Sequence, residues 1–211
     1  MKKDQIQSRE LKSLILLKLN KFDIDEVTDE DFEQITDMVF DFKSLNGEYS
    51  GISLDDFSLF PNLKSVRIAN LRVTQDVIDR IEQLQKVSRI DFARWRFDSV
   101  DFKSLRNRLE TVSYNKCGVL PFKYPKVRKI HIVDSEVDLD NIDFTNVESV
   151  FIVSSIVRNA HGLVSLTALE NVCLDGTRLF NEYEELVQDI EVAKDVSYSH
   201  KAERLLFDTE R

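Results

Sequence analysis

The sequence predicts an α/β solenoid, in which short parallel strands stack side by side and the segments between them return on the other side of a shared core. Two observations support this fold class. An aliphatic triplet with the spacing one, four, six recurs down most of the chain, and further positions keep the same phase. From Leu63 to Ala193 the first positions are separated by 24, 22, 18, 20, 22 and 24 residues. This period is typical of units that contain one strand and one return segment.

Six triplets are clear, and two weaker ones flank them. The clear ones are Leu63-Val66-Ile68, Val87-Ile90-Phe92, Leu109-Val112-Tyr114, Val127-Ile130-Ile132, Val147-Val150-Ile152 and Leu169-Val172-Leu174. The weaker ones are Ile35-Met38-Phe40 and Ala193-Val196-Tyr198. Because 42% of the residues are hydrophobic, triplets alone are weak evidence. The eleventh positions give stronger support for the repeat, since all of them are apolar: Leu45, Val73, Phe97, Val119, Val137, Val157 and Leu179.

The combined pattern resembles the leucine-rich-repeat consensus, which has aliphatic residues at one, four, six and eleven and Asn, Cys or Thr at nine. The resemblance covers about residues 35–200 and implies a right-handed solenoid, with a curved parallel sheet on the concave side and helices and turns on the convex side. No unit has Asn at nine, where the family usually forms an asparagine ladder, and Trp95 is too large for that position. The alternative is an ordinary α/β domain with apolar strands.

The domain organisation follows from this pattern. We expect a helical N-terminal cap at 1–34, an array of about eight units at 35–200, and a C-terminal cap or tail at 201–211. Helical spacing over residues 5–19 and a capping Thr28 before DEDFEQI predict two helices in the N-terminal cap. TQDVIDRIEQLQ from Thr74 and FNEYEELVQDIEV from Phe180 predict helical return segments. The return segments between them are shorter.

Composition excludes several classes of protein. A net charge of −9 and a pI near 5.0 disfavour general binding to nucleic acid or to anionic membranes. The N-terminus lacks the apolar run of a signal peptide, and no stretch approaches the ~20 apolar residues of a membrane-spanning helix. Cys117 and Cys173 lie three units apart, about 14 Å, which is too far for a disulfide. We therefore expect a reduced, cytoplasmic protein.

No catalytic template is present, so we expect no enzyme, no small-molecule substrate, no metal and no other cofactor. The five glycines are scattered singly, there is no CxxC, and the three histidines lie in different units. The cluster Asp138, Asp140 and Asp143 could bind calcium, but it lacks the glycine and terminal glutamate of an EF-hand loop, and turn aspartates explain it more simply. An enzyme would need a pocket that gathers Asp91, His131 or Cys173 with a base.

The outward face of the strands contains the candidate partner-binding site. Third, fifth and seventh positions point away from the core, and basic residues in the early and middle units give way to an apolar patch later. The predicted partner-binding residues are Arg67, Arg89, Asp91, Arg94, Arg96, Lys129, His131, Val133, Phe151, Val153 and Cys173. An apolar patch rimmed by charge is a common signature of a partner site. A one-residue register slip would bury these side chains instead.

The sequence thus predicts a non-catalytic module that binds a protein partner on its concave face. The resemblance implies a small, cytosolic bacterial form such as an adaptor, inhibitor or immunity protein, and the acidic charge would suit an inhibitor of a basic enzyme. The alternative is a structural or regulatory subunit that is contacted through its convex helices or its N-terminal cap. The oligomeric state stays open.

Metal independence can be tested directly. If the aspartates at 138, 140 and 143 only shape a turn, a chelator removes nothing that stabilises the fold. We expect the melting temperature, followed by circular dichroism, to be the same with and without EDTA. A shift of several degrees would instead support a bound cation.

Overall fold

The computed structural model describes residues 2–43, 47–94, 96–97, 100–118, 125–141, 145–163, 168–179 and 197–199. The chain divides into two compact units, Met1–Leu109 and Glu110–Arg211, and each is described by itself. The predicted helix after Phe180 and the predicted C-terminal segment 201–211 lie outside the described residues, as does Trp95.

The first unit begins with two helices, α1 at Arg9–Leu19 and α2 at Asp29–Gln34, as the sequence predicts. Ser8 caps α1 by accepting a hydrogen bond from the amide of Leu11 (3.1 Å). Thr28 and Asp31 form a capping box at the start of α2. Hydrogen bonds from Lys21 and from the Thr28 amide hold the pKa of Asp31 below its ordinary value. That residues 1–34 form a separate cap stays a prediction.

The strands of the first unit form a parallel sheet in the order β1-β2-β4, with a short parallel pair β3-β5. They are β1 at Asp37–Asp41, β2 at Ser65–Ala69, β3 at Arg72–Val73, β4 at Arg89–Ala93 and β5 at Arg96–Phe97. A 3₁₀ helix at Leu54–Leu59, the helix α3 at Gln75–Glu82, and a 3₁₀ helix at Leu105–Asn107 form the return segments. Thr74 occupies the N-cap position of α3, although its hydroxyl makes no capping hydrogen bond.

The second unit repeats this arrangement with shorter return segments. Its strands are β6 at Thr111–Asn115, β7 at Lys129–Val133, β8 at Glu136–Asp138, β9 at Ser149–Val153, β10 at Ile156–Arg158, β11 at Asn171–Cys173, β12 at Arg178–Leu179 and β13 at Ser197–Ser199. The main sheet has the order β6-β7-β9-β11-β13, and β8-β10-β12 form a second parallel ladder. The 3₁₀ helices Leu139–Asn141 and Ala160–Leu163 lie between strands, as the brevity of these segments predicts.

Strand pairing follows the repeat register, because each paired strand residue lies opposite the same position of the neighbouring repeat. Val66 pairs with Ile90, and Ile130 pairs with both Val112 and Val150. First, fourth and sixth positions of all six clear triplets are buried. A register slip is therefore wrong for these strands, and the core lies between the main sheet and the return segments.

Three side chains expected to face outward are nevertheless buried: Ala69, Ala93 and Ser149. All three are small. Ala69 and Ala93 lie opposite each other on adjacent strands, and Ser149 lies between Lys129 and Asn171. Short side chains between longer neighbours on a pleated surface are covered by them. The outward face therefore contains buried small side chains as well as exposed longer ones.

In all six clear repeats, the residue at position eight has a left-handed backbone conformation. These residues are Asn70 and Arg94 in the first unit, and Lys116, Asp134, Ser154 and Gly176 in the second, with φ between 48° and 59°. This conformation turns the chain sharply but is unfavourable for residues with a Cβ. Its recurrence at one position shows that the neighbouring contacts impose it.

A ladder of hydroxyl groups at position nine replaces the asparagine ladder in the second unit. Ser135 Oγ accepts a hydrogen bond from the amide of Cys117, and Ser155 Oγ accepts one from the amide of Ser135, both at 3.2 Å. Each serine hydroxyl donates to the carbonyl two residues earlier, at 2.8 and 2.7 Å. Thr177 Oγ1 donates to the carbonyl of Ile152 at 2.9 Å. Buried turns are thus joined from one repeat to the next.

In the first unit, a carboxylate joins α3 to the following return segment. Glu82 accepts hydrogen bonds from the amides of Ser104 (3.0 Å) and Leu105 (3.2 Å) and from the Ser104 hydroxyl. Arg108 donates to the carbonyls of Glu82 (2.9 Å) and Leu84 (3.1 Å). Burial raises the pKa of Glu82, but these hydrogen bonds outweigh it, so the pKa lies below its ordinary value. The ionised form therefore stabilises the fold.

The register predicts opposite effects on stability when aspartate replaces two neighbouring residues, Val150 and Phe151. Val150 is 3% exposed and faces the core. We expect Val150→Asp to cost about 3–5 kcal/mol, since it buries a charge without a partner, and to abolish the cooperative thermal transition measured by circular dichroism. Phe151→Asp is the matched control, because it places the same side chain on the outward face and should melt close to wild type. A normally melting Val150→Asp protein would contradict the register.

The Glu82 contacts predict a pH-dependent stability. The pKa of Glu82 is lowered in the folded state, so its contribution is complete above the ordinary glutamate pKa and is lost as pH falls through the folded value. We expect Glu82→Gln to lower the free energy of unfolding at pH 7 by about 1 kcal/mol, a value reduced for partial exposure.

The difference between wild type and Glu82→Gln should shrink as urea unfolding is repeated from pH 5 towards pH 3. Glu33→Gln is a suitable control, because Glu33 is exposed and, among the described residues, its side chain makes no hydrogen bond; its backbone carbonyl accepts one from Asn62. A constant difference across this pH range would contradict the role of the Glu82 charge.

Candidate functional site

The fifth positions of the second unit form a row across its main sheet. Ser113, His131, Phe151 and Cys173 lie opposite one another on β6, β7, β9 and β11, and all four are half-buried. The rings of His131 and Phe151 stack with their centroids 4.9 Å apart and their planes at 24°. Each ring covers one side of the other, so the pair is held in place before any partner arrives.

Two valines extend this pair into an apolar cluster. Val133 and Val153 lie opposite each other in the seventh-position row, two residues beyond His131 and Phe151, and both are half-buried. We call these four residues the His131–Phe151 cluster. Five of the predicted site residues, including Cys173 beside Phe151, therefore lie together. The cluster is less exposed than the sequence suggested, and the stacking of His131 on Phe151 covers one side of each ring.

Charged groups lie at the edges of the His131–Phe151 cluster. Lys129 is exposed at the third position of β7, two residues before His131. Lys116 and Asp134 form an ion pair of 3.7 Å at the strand ends, and Asp175 is exposed at a seventh position. The apolar centre therefore has a polar rim, as protein-binding patches commonly do.

The predicted arginines lie in the first unit, at the outward positions of β2 and β4 and at the end of β4. Arg67 and Asp91 are opposite each other, with Nη1 and Oδ2 3.3 Å apart. Arg89 and Arg94 are exposed. The backbone of Arg96 lies in β5, but its side chain is outside the described part. We call Arg67, Arg89, Asp91 and Arg94 the arginine face.

Sequence reasoning missed two exposed hydrophobic residues near the N-terminus. Leu17 in α1 is 79% exposed, and Phe22, just after α1, is 93% exposed. A usable signal was present, since Leu17 lies off the buried stripe that contains Leu11 and Ile15. Phe22 is followed by Asp23, so a bulky aromatic lies at the start of an acidic segment. Its exposure depends on the end of α1 and could not be read from spacing.

The register keeps His131 and Cys173 apart, although the sequence offered both as members of a possible catalytic pocket. His131 and Cys173 lie on either side of Phe151, two strand steps and roughly 10 Å apart. A thiol and its base need hydrogen-bond contact, near 3 Å.

The aspartate cluster has a local role in the described residues. Asp138 accepts hydrogen bonds from the amide of Asp140 (3.1 Å) and from the Asn159 side chain (2.8 Å), as a turn aspartate does. Asp143 lies outside the described part. Among the residues that the structure describes, no group of three or more His, Cys, Asp or Glu side chains could hold a metal ion. Along the same stretches, no helix has the length and apolar character to cross a bilayer.

Comparison with known proteins found matches among solved structures. No family model and no curated protein matches the chain. Among solved structures, an internalin (inlF) from Listeria monocytogenes matches with a TM-score of 0.53 and 18% identity, over 84% of this chain and 52% of the internalin. Internalin C2 from the same species matches with a TM-score of 0.52 and 12% identity, over 91% of this chain and 93% of the internalin.

Internalins are leucine-rich-repeat proteins. With the parallel sheet and its repeat register, this similarity decides the fold. The chain has a leucine-rich-repeat fold. The chain spans about half the length of the inlF internalin. At identities of 18% and 12% this similarity shows the fold alone and carries no information on a particular partner.

Proposed function

We propose that the protein is a non-catalytic recognition module that binds a protein partner on the outward, concave face of its strands. The observation that carries this proposal is the His131–Phe151 cluster. Its residues lie on the side of the sheet away from the core, so folding does not require them to be apolar. A partner that covers them would remove the remaining apolar surface from water.

The cluster also has the physical properties of a binding hot spot. Its two rings are already stacked, and β-branched valines have few side-chain rotamers. Little conformational entropy is therefore lost when a partner docks, which favours affinity. Aromatic anchors at the centre of a patch with a polar rim are the groups that usually dominate binding energy.

A narrower proposal concerns the biological role. We infer an inhibitor or immunity function in the cytoplasm, in which the bound partner is a toxin or enzyme. It is supported by the small repeat array, the lack of a catalytic template and the net charge of −9, which would steer a basic partner towards the protein.

A second candidate function is a subunit of a larger assembly that is contacted through the N-terminal helices. The exposed Leu17 and Phe22 favour it, because a partner that covers both side chains would remove their apolar surface from water. In this function, the partner would not contact the outward face of the strands.

The two functions differ in which substitution abolishes partner capture. We expect Phe151→Asp to weaken binding about 30-fold or more, as the loss of a hot spot does, and the Leu17→Ser/Phe22→Ser double variant to leave it unchanged. Pull-down from source lysate with mass spectrometry identifies the partner, and calorimetry with the purified partner measures the affinity.

Thermal melting of both variants excludes loss of fold as the cause. Capture that survives Phe151→Asp but is lost in the double variant would contradict binding through the strand face and support the assembly role.

A further inference from the structure

The arginine face is positively charged although the chain is acidic. It contains three guanidinium groups, on Arg67, Arg89 and Arg94, and one carboxylate, on Asp91, so its formal charge is +2 where the whole chain has −9. The other outward positions of β2 and β4 are uncharged: Ser65, Ala69 and Ala93. On the neighbouring strand β1, Asp37 pairs with Lys18, and Asp41 lies opposite Ala69 and accepts a hydrogen bond from Asn70.

We propose that the arginine face docks a carboxylate-rich segment of the protein partner. This inference rests on the proposed function and names the chemistry of the partner. Net charge alone would predict a basic partner surface. The arginine face would instead contact an acidic segment of that partner.

The ion pair within the arginine face orients Arg67 without using all of its hydrogen-bond donors. Asp91 lies directly opposite and approaches Nη1 at 3.3 Å, while the Arg67 side chain stays 41% exposed. A guanidinium has five N–H donors in a fixed plane, so the others remain for a bidentate contact with a carboxylate.

Arg89 offers a second cationic group beside Arg67. It lies two residues before Asp91 on β4, diagonal to Arg67 and on the order of 7 Å away. Arg89 is exposed, and it has no carboxylate partner among the described residues. Two carboxylates along one extended segment can therefore meet the two guanidinium groups.

The residues next to Arg67 and Asp91 on the outward face have small side chains. Ala69 and Ala93 lie opposite each other, two residues beyond Arg67 and Asp91, and both are buried. Arg94 follows Ala93 directly, where the backbone turns with φ of 54°. Small side chains therefore follow Arg67 and Asp91 on their strands, and a third cationic residue comes directly after β4.

A protein carboxylate fits this site better than a nucleic acid does. Three cations release few counterions, and the charge of −9 repels a polyanion at long range. A short acidic segment presents fewer charges and meets only the local field, which acts over about 8 Å at physiological salt.

The test uses the full-length protein labelled with ¹⁵N and titrated with octaglutamate at low salt, with octaglutamine as the uncharged control. We expect chemical-shift changes in β2 and β4 that weaken as NaCl is added. Arg67→Glu and Arg89→Glu should each lower the affinity about five- to tenfold.

Arg80→Glu is the matched control, because it changes the net charge by the same amount. Arg80 lies on α3, is 43% exposed and pairs with Asp55 at 2.8 Å. It should bind octaglutamate nearly as wild type does. Arg67→Glu also breaks the pair with Asp91, so Arg89→Glu keeps the test valid if the first variant is unstable.

Three results would overturn the inference: no binding of octaglutamate, an equal loss in Arg80→Glu, or tighter binding of octathymidylate than of octaglutamate. The last result would indicate a nucleic-acid site. Phe151→Asp should not change octaglutamate binding. If Phe151→Asp loses partner capture and the wild-type protein does not bind octaglutamate, this inference alone is rejected. If Phe151→Asp keeps partner capture and the wild-type protein binds octaglutamate, only the role of the His131–Phe151 cluster is rejected.

Discussion

The structure depends on one constraint, namely that equivalent repeat positions lie opposite each other in adjacent parallel strands. Buried aliphatic residues at one, four and six enforce it, because a slip by one residue would expose all of them together. The same alternation fixes what faces outward. Ser113, His131, Phe151 and Cys173 form a row only because the apolar residues on either side of each are held in the core.

Contacts at the strand ends complete this register. The left-handed residue at position eight turns the chain, and in the second unit the hydroxyl at position nine joins one buried turn to the next. In the first unit, Glu82 and Arg108 connect the return segments instead. The two units therefore stabilise the same repeat with different polar contacts, a serine ladder in one and a charged network in the other.

The sequence predicted the strands, their register and the residues of the His131–Phe151 cluster, because period and burial follow from the same apolar pattern. It did not predict that His131 and Phe151 would stack, since that depends on side-chain torsions across two strands. Ala69 and Ala93 were expected to be exposed, but their size relative to their neighbours decides their burial. Phe22 was missed because no periodic signal marks a single exposed residue after a helix.

The hydroxyl ladder has a consequence for how such a chain can change in length. Each bond joins the same position in consecutive turns, with the amide of one repeat donating to the hydroxyl of the next. Duplication or deletion of one whole repeat would therefore keep these amides opposite a hydroxyl, whereas a change of one or two residues between the strand and position nine would not. The sheet can grow or shrink by single strands during evolution, and the span available to a partner changes in steps of about 4.8 Å.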